Sequence, residues 1–320
     1  MQDDMILILG VTASGKGRVA FELAKQLGAE IISIDSMKVY KRMDIGTAKP
    51  PPEARSAVNY HLIDIIEPSE SFSVGKFLEA ANKAADDIKK RNKPIIAVGG
   101  TALYIKALLY GLFDGPGSNE QIRTNLKQTA KELGTEKLYE ILQKIDPLSA
   151  ERIHKNDEKR LIRALEVYQL TGRPISSFQQ QWRNNRNRPH LPIGMAKTKW
   201  KIIGIRRDKQ TENKGINARV KKMLDAGLVD EVRSLLSEDK PLSSQARCAI
   251  GYAEIIDYLN GNTDLEKAAE LIRKNTRLLA KHQRTWFKTF EEVRWLDIEE
   301  NQSLEQVFQQ IIKAVHQMRK

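Results

Sequence analysis

Directly behind the apolar run Ile6-Leu7-Ile8-Leu9 the chain reads Gly10-Val11-Thr12-Ala13-Ser14-Gly15-Lys16, and a helix-length amphipathic stretch reaches Leu27. A strand that breaks into a glycine-framed loop and re-enters a helix at a lysine leaves several backbone N–H groups without helical partners. Together with the lysine ammonium they form a cradle for phosphate. In α/β folds such loops stand at the carboxyl ends of parallel strands. The next runs fit that scheme: Ile31 to Ile34, an amphipathic stretch from Val74 to Arg91, then Ile95 to Val98, closed by Gly99-Gly100-Thr101 and a helix to about Gly111. Short β-rich runs alternating with helix-length segments predict an α/β fold of P-loop NTPase-like type, a parallel sheet flanked by helices.

After Gly115-Pro116-Gly117 the sequence turns polar and helical, with Asp146-Pro147 as a helix start. Residues 1–115 and 201–320 are therefore assigned to a catalytic core with C-terminal helices, and 116–200 to an inserted helical domain. Lys201 to Ile205 reads as a further strand, followed by helices near Asn217–Leu236, Ile250–Leu259 and Glu266–Phe290.

The single cysteine, Cys248, cannot form an intramolecular disulfide, and no Cys/His spacing suggests zinc, so a reducing cytoplasmic setting is expected. No apolar stretch approaches membrane-spanning length, so no membrane association is expected. A net charge of +12 is compatible with a polyanionic partner. The local bias says more. Between Val167 and Arg207 there is no acidic residue, while Arg173, Arg183, Arg186, Arg188, Lys197, Lys199, Lys201, Arg206 and Arg207 are basic and Trp182 and Trp200 lie among them. Aromatics between cations suit stacked bases, although a solvated basic face around core tryptophans would look the same.

The phosphate loop departs from the common NTPase pattern in one place. Gly17 stands where a Ser or Thr hydroxyl normally helps hold magnesium. The third strand also ends in Gly99-Gly100 rather than in an acidic residue. Departure of a diphosphate needs the same cradle but no attacking water, and fits these residues better than ATP hydrolysis.

Longer stretches narrow the reading. Asp35-Ser36-Met37-Lys38-Val39-Tyr40 with Met43 to Pro50, His61 to Asp64, Val98 to Thr101 with Leu103-Tyr104, Asp157 with Lys159 to Val167, Gly251-Tyr252, and Thr276-Arg277 with Ala280-Lys281 and Gln283 to Phe287 closely resemble the tRNA dimethylallyltransferases of bacterial type. The likeness runs from about residue 6 to residue 297. It implies dimethylallyl diphosphate as donor, magnesium (Mg2+) as cofactor and tRNA as acceptor. The target it implies is the exocyclic N6 amine of adenosine 37 in tRNAs reading codons that begin with U.

On this resemblance Gly10, Val11, Thr12, Ala13, Ser14, Gly15, Lys16 and Gly17 bind the donor's diphosphate, and Lys16, Asp35, Thr101 and Arg219 are catalytic. Asp35 would take a hydrogen bond or proton from the amine, with a helix cap or a magnesium ligand as alternatives. Thr101 would lie at the tRNA contact and could also cap a helix, and Arg219 would close on the diphosphate. The expected tRNA contacts are Asp35, Ser36, Met37, Lys38, Thr101, Arg123, Lys159, Arg160, Leu161, Ile162, Arg163, Arg277, Lys281 and Arg284. Trp286 and Phe287 are expected in the core. The metal ligands stay open. Val11, Gly17 and Ala253 depart from the usual family residues. The compact bacterial form, without the zinc finger of some eukaryotic relatives, and a monomer are expected. The rival readings are a small-molecule kinase, an adenine-nucleotide prenyltransferase and a non-catalytic RNA-binding protein.

Overall fold

The computed structural model describes residues 5–112, 115–179 and 200–318. Among them six strands make one parallel sheet: β1 (Met5–Gly10), β2 (Glu30–Ile34), β3 (Tyr60–His61), β4 (Ile95–Gly99), β5 (Trp200–Arg206) and β6 (Arg294–Asp297), in the order β3-β2-β4-β1-β5-β6. β1, β2 and β4 are buried on both faces, as expected when helices cover a parallel sheet. The register aligns Gly10 with Ile205, Leu9 with Gly99 and Ile34 with Gly99, so four strands end on one edge and their loops open together.

Two glycines make that edge possible. A Cβ on Gly99 would stand 2.0 Å from the Ile34 carbonyl oxygen, and one on Gly10 would stand 2.8 Å from the Ile205 carbonyl oxygen. With hydrogen there instead, the Gly100 and Thr101 amides turn onto the Ile34 carbonyl at 3.3 and 3.4 Å, which folds the loop after β4 onto the end of β2.

The helix Lys16–Leu27 buries Val19, Ala20, Leu23 and Ala24, spaced for one helical face, and stops at Gly28 in the left-handed region. It packs on the sheet with Phe308 and Ile311 of the C-terminal helix Leu304–Gln317. The single helix expected over Asn217–Leu236 is two, Lys209–Asp225 and Leu228–Leu236. Gly227, at φ +93°, turns the chain between them. β3 and β6 were not anticipated: they are edge strands of two and four residues, with no fully buried side chain to mark a pattern.

The chain divides into two compact units, Met1–Leu109 with Ile193–Lys320, and Tyr110–Pro192. The first holds the sheet. The second has a core of its own, in which Leu126, Leu138, Leu142, Leu161 and Leu165 pack together. Among the described residues no helix is long and apolar enough to cross a membrane.

The described part of the basic tract serves the fold. Arg206 pairs with Asp297 across β5 and β6, Lys201 is buried within β5, and Arg173 lies over the Phe178 ring at 4.7 Å. Trp182, Arg183, Arg186, Arg188, Lys197 and Lys199 lie outside the described residues.

Candidate active site

The loops on the sheet's carboxyl edge surround a cavity of about 1130 Å³. Thr12, Ala13, Gly15, Lys16 and Gly17 form one wall, Asp35 to Lys38 a second and Gly99 to Thr101 a third, while Arg219 reaches in from the helix Lys209–Asp225. Gly10, Val11 and Ser14, expected with them at the diphosphate, are buried and do not line the cavity. Such a volume exceeds what usually receives a single drug-sized ligand and leaves room for two reactants.

Asp35 follows β2 directly. Its Oδ1 accepts hydrogen bonds from the amides of Met37 (2.8 Å) and Lys38 (3.2 Å), which fix the carboxylate; among the described residues no hydrogen bond reaches its second oxygen. Thr101 Oγ1 accepts from the Ser36 amide at 3.1 Å and so ties the β4 turn to the loop carrying Asp35. Arg219 donates to Thr12 Oγ1 at 3.1 Å, and Lys16 Nζ donates to the Val11 carbonyl at 3.1 Å.

Three cations thus gather around one carboxylate. Burial, with Lys38 and Arg219 nearby, pulls Lys16 down to about 7, and Asp35 pulls it back only in part. Burial lowers Lys38 and Arg219 as well, each again opposed by Asp35. Bringing cations together in a partly desolvated place is unfavourable until an anion joins them, so the site is prepared for a ligand of high negative charge.

The opposite side of the cavity is mixed. Leu103, Leu279, His282 and Trp286 line it, and Lys106 lies over the Trp286 ring at 5.7 Å. Trp286, expected in the core, is a half-exposed cavity residue; Phe287 is the buried member of the pair. Gly46 also lines the cavity, and a Cβ there would stand 2.4 Å from the Tyr252 ring. Glu231 holds this wall: it accepts from the amides of Asp44, Ile45 and Gly46 and from the Tyr252 hydroxyl at 2.6 Å.

Several residues expected at tRNA are engaged inside the protein. Arg123 Nε donates to Glu166 at 2.9 Å, and Arg163 donates to Glu166 and to the Pro116 carbonyl, both at 2.7 Å. Burial would push the Glu166 carboxyl up, but hydrogen bonds from Arg123, Arg163 and the Asn119 amide outweigh it and hold the group below the usual carboxylate range. Leu161 and Ile162 are buried in the helical unit's core, so their surface goes to packing. Arg277 donates to Asn217 and Arg284 to the buried Glu212. Lys159, Arg160 and Lys281 are exposed, with Arg160 paired to Asp157 at 3.0 Å.

No group of three or more His, Cys, Asp or Glu side chains among the described residues could hold a metal ion. The carboxylates lining the cavity are Glu22 and Asp35. A magnesium ion carried by a diphosphate takes most of its ligands from phosphate oxygens and water and asks for only one or two from the protein, a demand that the Thr12 hydroxyl would meet. A Cβ on Gly17 meets nothing within 4 Å, so bulk does not explain the missing hydroxyl.

The IPP transferase family profile matches residues 38–290, and an isopentenyl transferase profile matches residues 3–65. The chain is 43% identical over 295 residues to tRNA dimethylallyltransferase 2 of Geotalea daltonii, covering 92% of this chain and 87% of that protein. It is 43% identical over 310 residues to the tRNA dimethylallyltransferase of Acetivibrio thermocellus, covering 97% and 96%. Among solved structures, the full-length tRNA isopentenylpyrophosphate transferase of Bacillus halodurans superposes with a TM-score of 0.69 at 35% identity, covering 98% of this chain and 97% of that one. A eukaryotic dimethylallyltransferase captured acting on tRNA superposes with a TM-score of 0.77 at 25% identity, over 97% of this chain and 77% of that one.

Proposed function

The chain belongs to the IPP transferase family, the tRNA dimethylallyltransferases, and from that premise we propose that it transfers a dimethylallyl group from dimethylallyl diphosphate to the N6 amine of adenosine 37 in tRNAs reading codons that begin with U. The observation that carries the reading is the placement of Asp35 between two kinds of surface. On one side stand the cations and amides of the phosphate loop, and on the other the turn bearing Thr101.

The reaction exchanges a carbon–oxygen bond for a carbon–nitrogen bond and moves one proton. The adenine amine attacks the allylic carbon, the bond from that carbon to the diphosphate oxygen breaks with its electron pair going to the diphosphate, and the amine's proton passes to Asp35. Lys16, Arg219 and the loop amides stabilise the charge growing on the leaving group. Magnesium bound with the diphosphate would add further neutralisation of that charge. The two amides on Asp35 Oδ1 hold the carboxylate still, so that its other oxygen can receive the proton.

A target base stacked in an anticodon loop has to leave its stack to enter such a cavity. The helical unit, within residues 110–192, would grip the anticodon arm with exposed cations such as Lys159 and Arg160. The tRNA substrate supports a cytoplasmic setting.

The test supplies magnesium, labelled dimethylallyl diphosphate and two anticodon stem-loops that differ only in A or G at position 37. Label in the A37 RNA alone is expected. Equal labelling of both would overturn the target, and no labelling of either would overturn the activity.

A further inference from the structure

Thr12 and Gly100 are on different strand-end loops, and the residue that joins them is far from both in sequence. Gln283, on the long helix Leu265–Phe287, accepts from the Thr12 amide through Oε1 at 2.8 Å and donates to the Gly100 carbonyl through Nε2, also at 2.8 Å. Both bonds are buried, and Gln283 itself is 8% exposed. Because one partner is an N–H and the other a C=O, the orientation of the carboxamide is fixed by its neighbours. A carboxamide accepts and donates along one rigid plane; a carboxylate would only accept, and an apolar side chain would do neither. Gly100 is part of the fit, since a Cβ there would come within 2.5 Å of Nε2.

We propose that Gln283 is a positioning residue for the transfer reaction, its carboxamide acting as a spacer that sets the gap between the loop holding the departing diphosphate and the turn that carries the acceptor side. The inference rests on the reading of the site as a dimethylallyl transferase. Thr12 is also the residue that Arg219 grips, and the residue after Gly100 is Thr101, which holds the Ser36 amide beside Asp35. Gln283, which also lines the cavity wall, therefore links the leaving-group side to the base side. In a displacement with the amine, carbon and leaving oxygen in line, an error of about 1 Å in that gap can cost up to about a hundredfold in rate. Each substrate would still find its own half of the site intact.

The test separates chemistry from binding and from folding. Gln283→Leu removes both bonds, Gln283→Asn keeps the carboxamide but shortens its reach, and Gly100→Ala pushes against it from the other side. Phe287→Leu, a buried position one turn along the same helix, is the packing control. For each variant one measures the single-turnover rate of label transfer into the A37 stem-loop at saturating substrates, the Kd for inorganic diphosphate, the Kd for the stem-loop, and Tm. The three variants at the spacer are expected to lose at least about tenfold in rate with both Kd values changed by less than about threefold, while Phe287→Leu lowers Tm and keeps the rate. A rate loss that follows Tm across all four variants, a diphosphate Kd that weakens as much as the rate, or unchanged rates would overturn the proposal. Absence of transfer by the wild-type protein would overturn the underlying reading and the inference with it, whereas wild-type transfer with unaffected variants removes the inference alone.

Discussion

Lys16, Lys38 and Arg219 stand in the cavity of the sheet-bearing unit with Asp35 as their shared carboxylate, whereas Arg123 and Arg163 of the helical unit close on Glu166, which has no exposed surface. The first group is short of negative charge; the second supplies its own. In the helical unit these two guanidinium groups do structural work, and Arg163 also holds the Pro116 and Gly117 carbonyls at the start of the unit. In the cavity, burial depresses all three cations and leaves an imbalance that a diphosphate would correct. A basic residue is thus informative about a ligand only once its protein partners are known. Sequence spacing alone places both groups in the same class.

The sharpest way to break this contrast is at its centre. Asp35→Asn is expected to lower single-turnover transfer by about 10³ while leaving diphosphate binding unimpaired, since the change removes a negative charge beside the cations. Retention of more than about a tenth of the rate would remove Asp35 from the role of proton acceptor. On the helical side, Glu166→Gln is expected to destabilise the protein by about 3 kcal/mol in urea denaturation, because two guanidinium groups lose the carboxylate they were buried against. If stability held and only stem-loop binding weakened, Arg123 and Arg163 would belong with the RNA contacts after all.

The pH dependence is a smaller effect with a definite sign. Free Lys16 gives up its proton near pH 7, and bound diphosphate favours the protonated lysine. Binding above pH 7 must therefore recruit a proton, and affinity for diphosphate should fall by up to about tenfold per pH unit beyond that point. Calorimetry in two buffers of different ionisation heat would register the proton uptake. No uptake at pH 8 would mean that Lys16 is already charged in the free protein. The smallest change is Gly17→Ser. The added side chain enters open space in the first helical turn, so a gain of about 0.5 kcal/mol in stability is expected, with transfer altered by less than about twofold. A large rise in rate at low magnesium would show that the loop hydroxyl matters more than the cavity's cations.

Much of the frame was legible because it is local. The phosphate loop, the strands flanking it and the helix Lys16–Leu27 are each written in contiguous residues; Asp35 could be placed because it directly follows a strand run, and Thr101 because it follows the two glycines that close another. What escaped depended on distant partners. Gln283 is one polar residue in a helix until the Thr12 amide, 271 positions away, is seen against it. Arg284 looks solvent-facing until Glu212 is found buried beside it. The Arg163–Glu166 pair is spaced one helical turn apart and could have been read, but an acid within a basic helix resembles an ordinary solvated face. Trp286 was misplaced because periodicity separates inward from outward along a helix and cannot separate packed core from the wall of a cavity.

The strand order also bears on how the protein is made. β1 lies between β4 and β5, and β5 begins only at Trp200. On the ribosome, Met5-Ile6-Leu7-Ile8-Leu9-Gly10 can gain β4 as a neighbour early, but its other edge stays unpaired until roughly 100 further residues have been added after β4. At common rates of synthesis that is about 5–20 s. For that interval the most apolar strand of the sheet is an open template for any extended chain nearby, so chaperone capture and aggregation of unfinished chains should concentrate on nascent lengths between the emergence of β4 and that of β5.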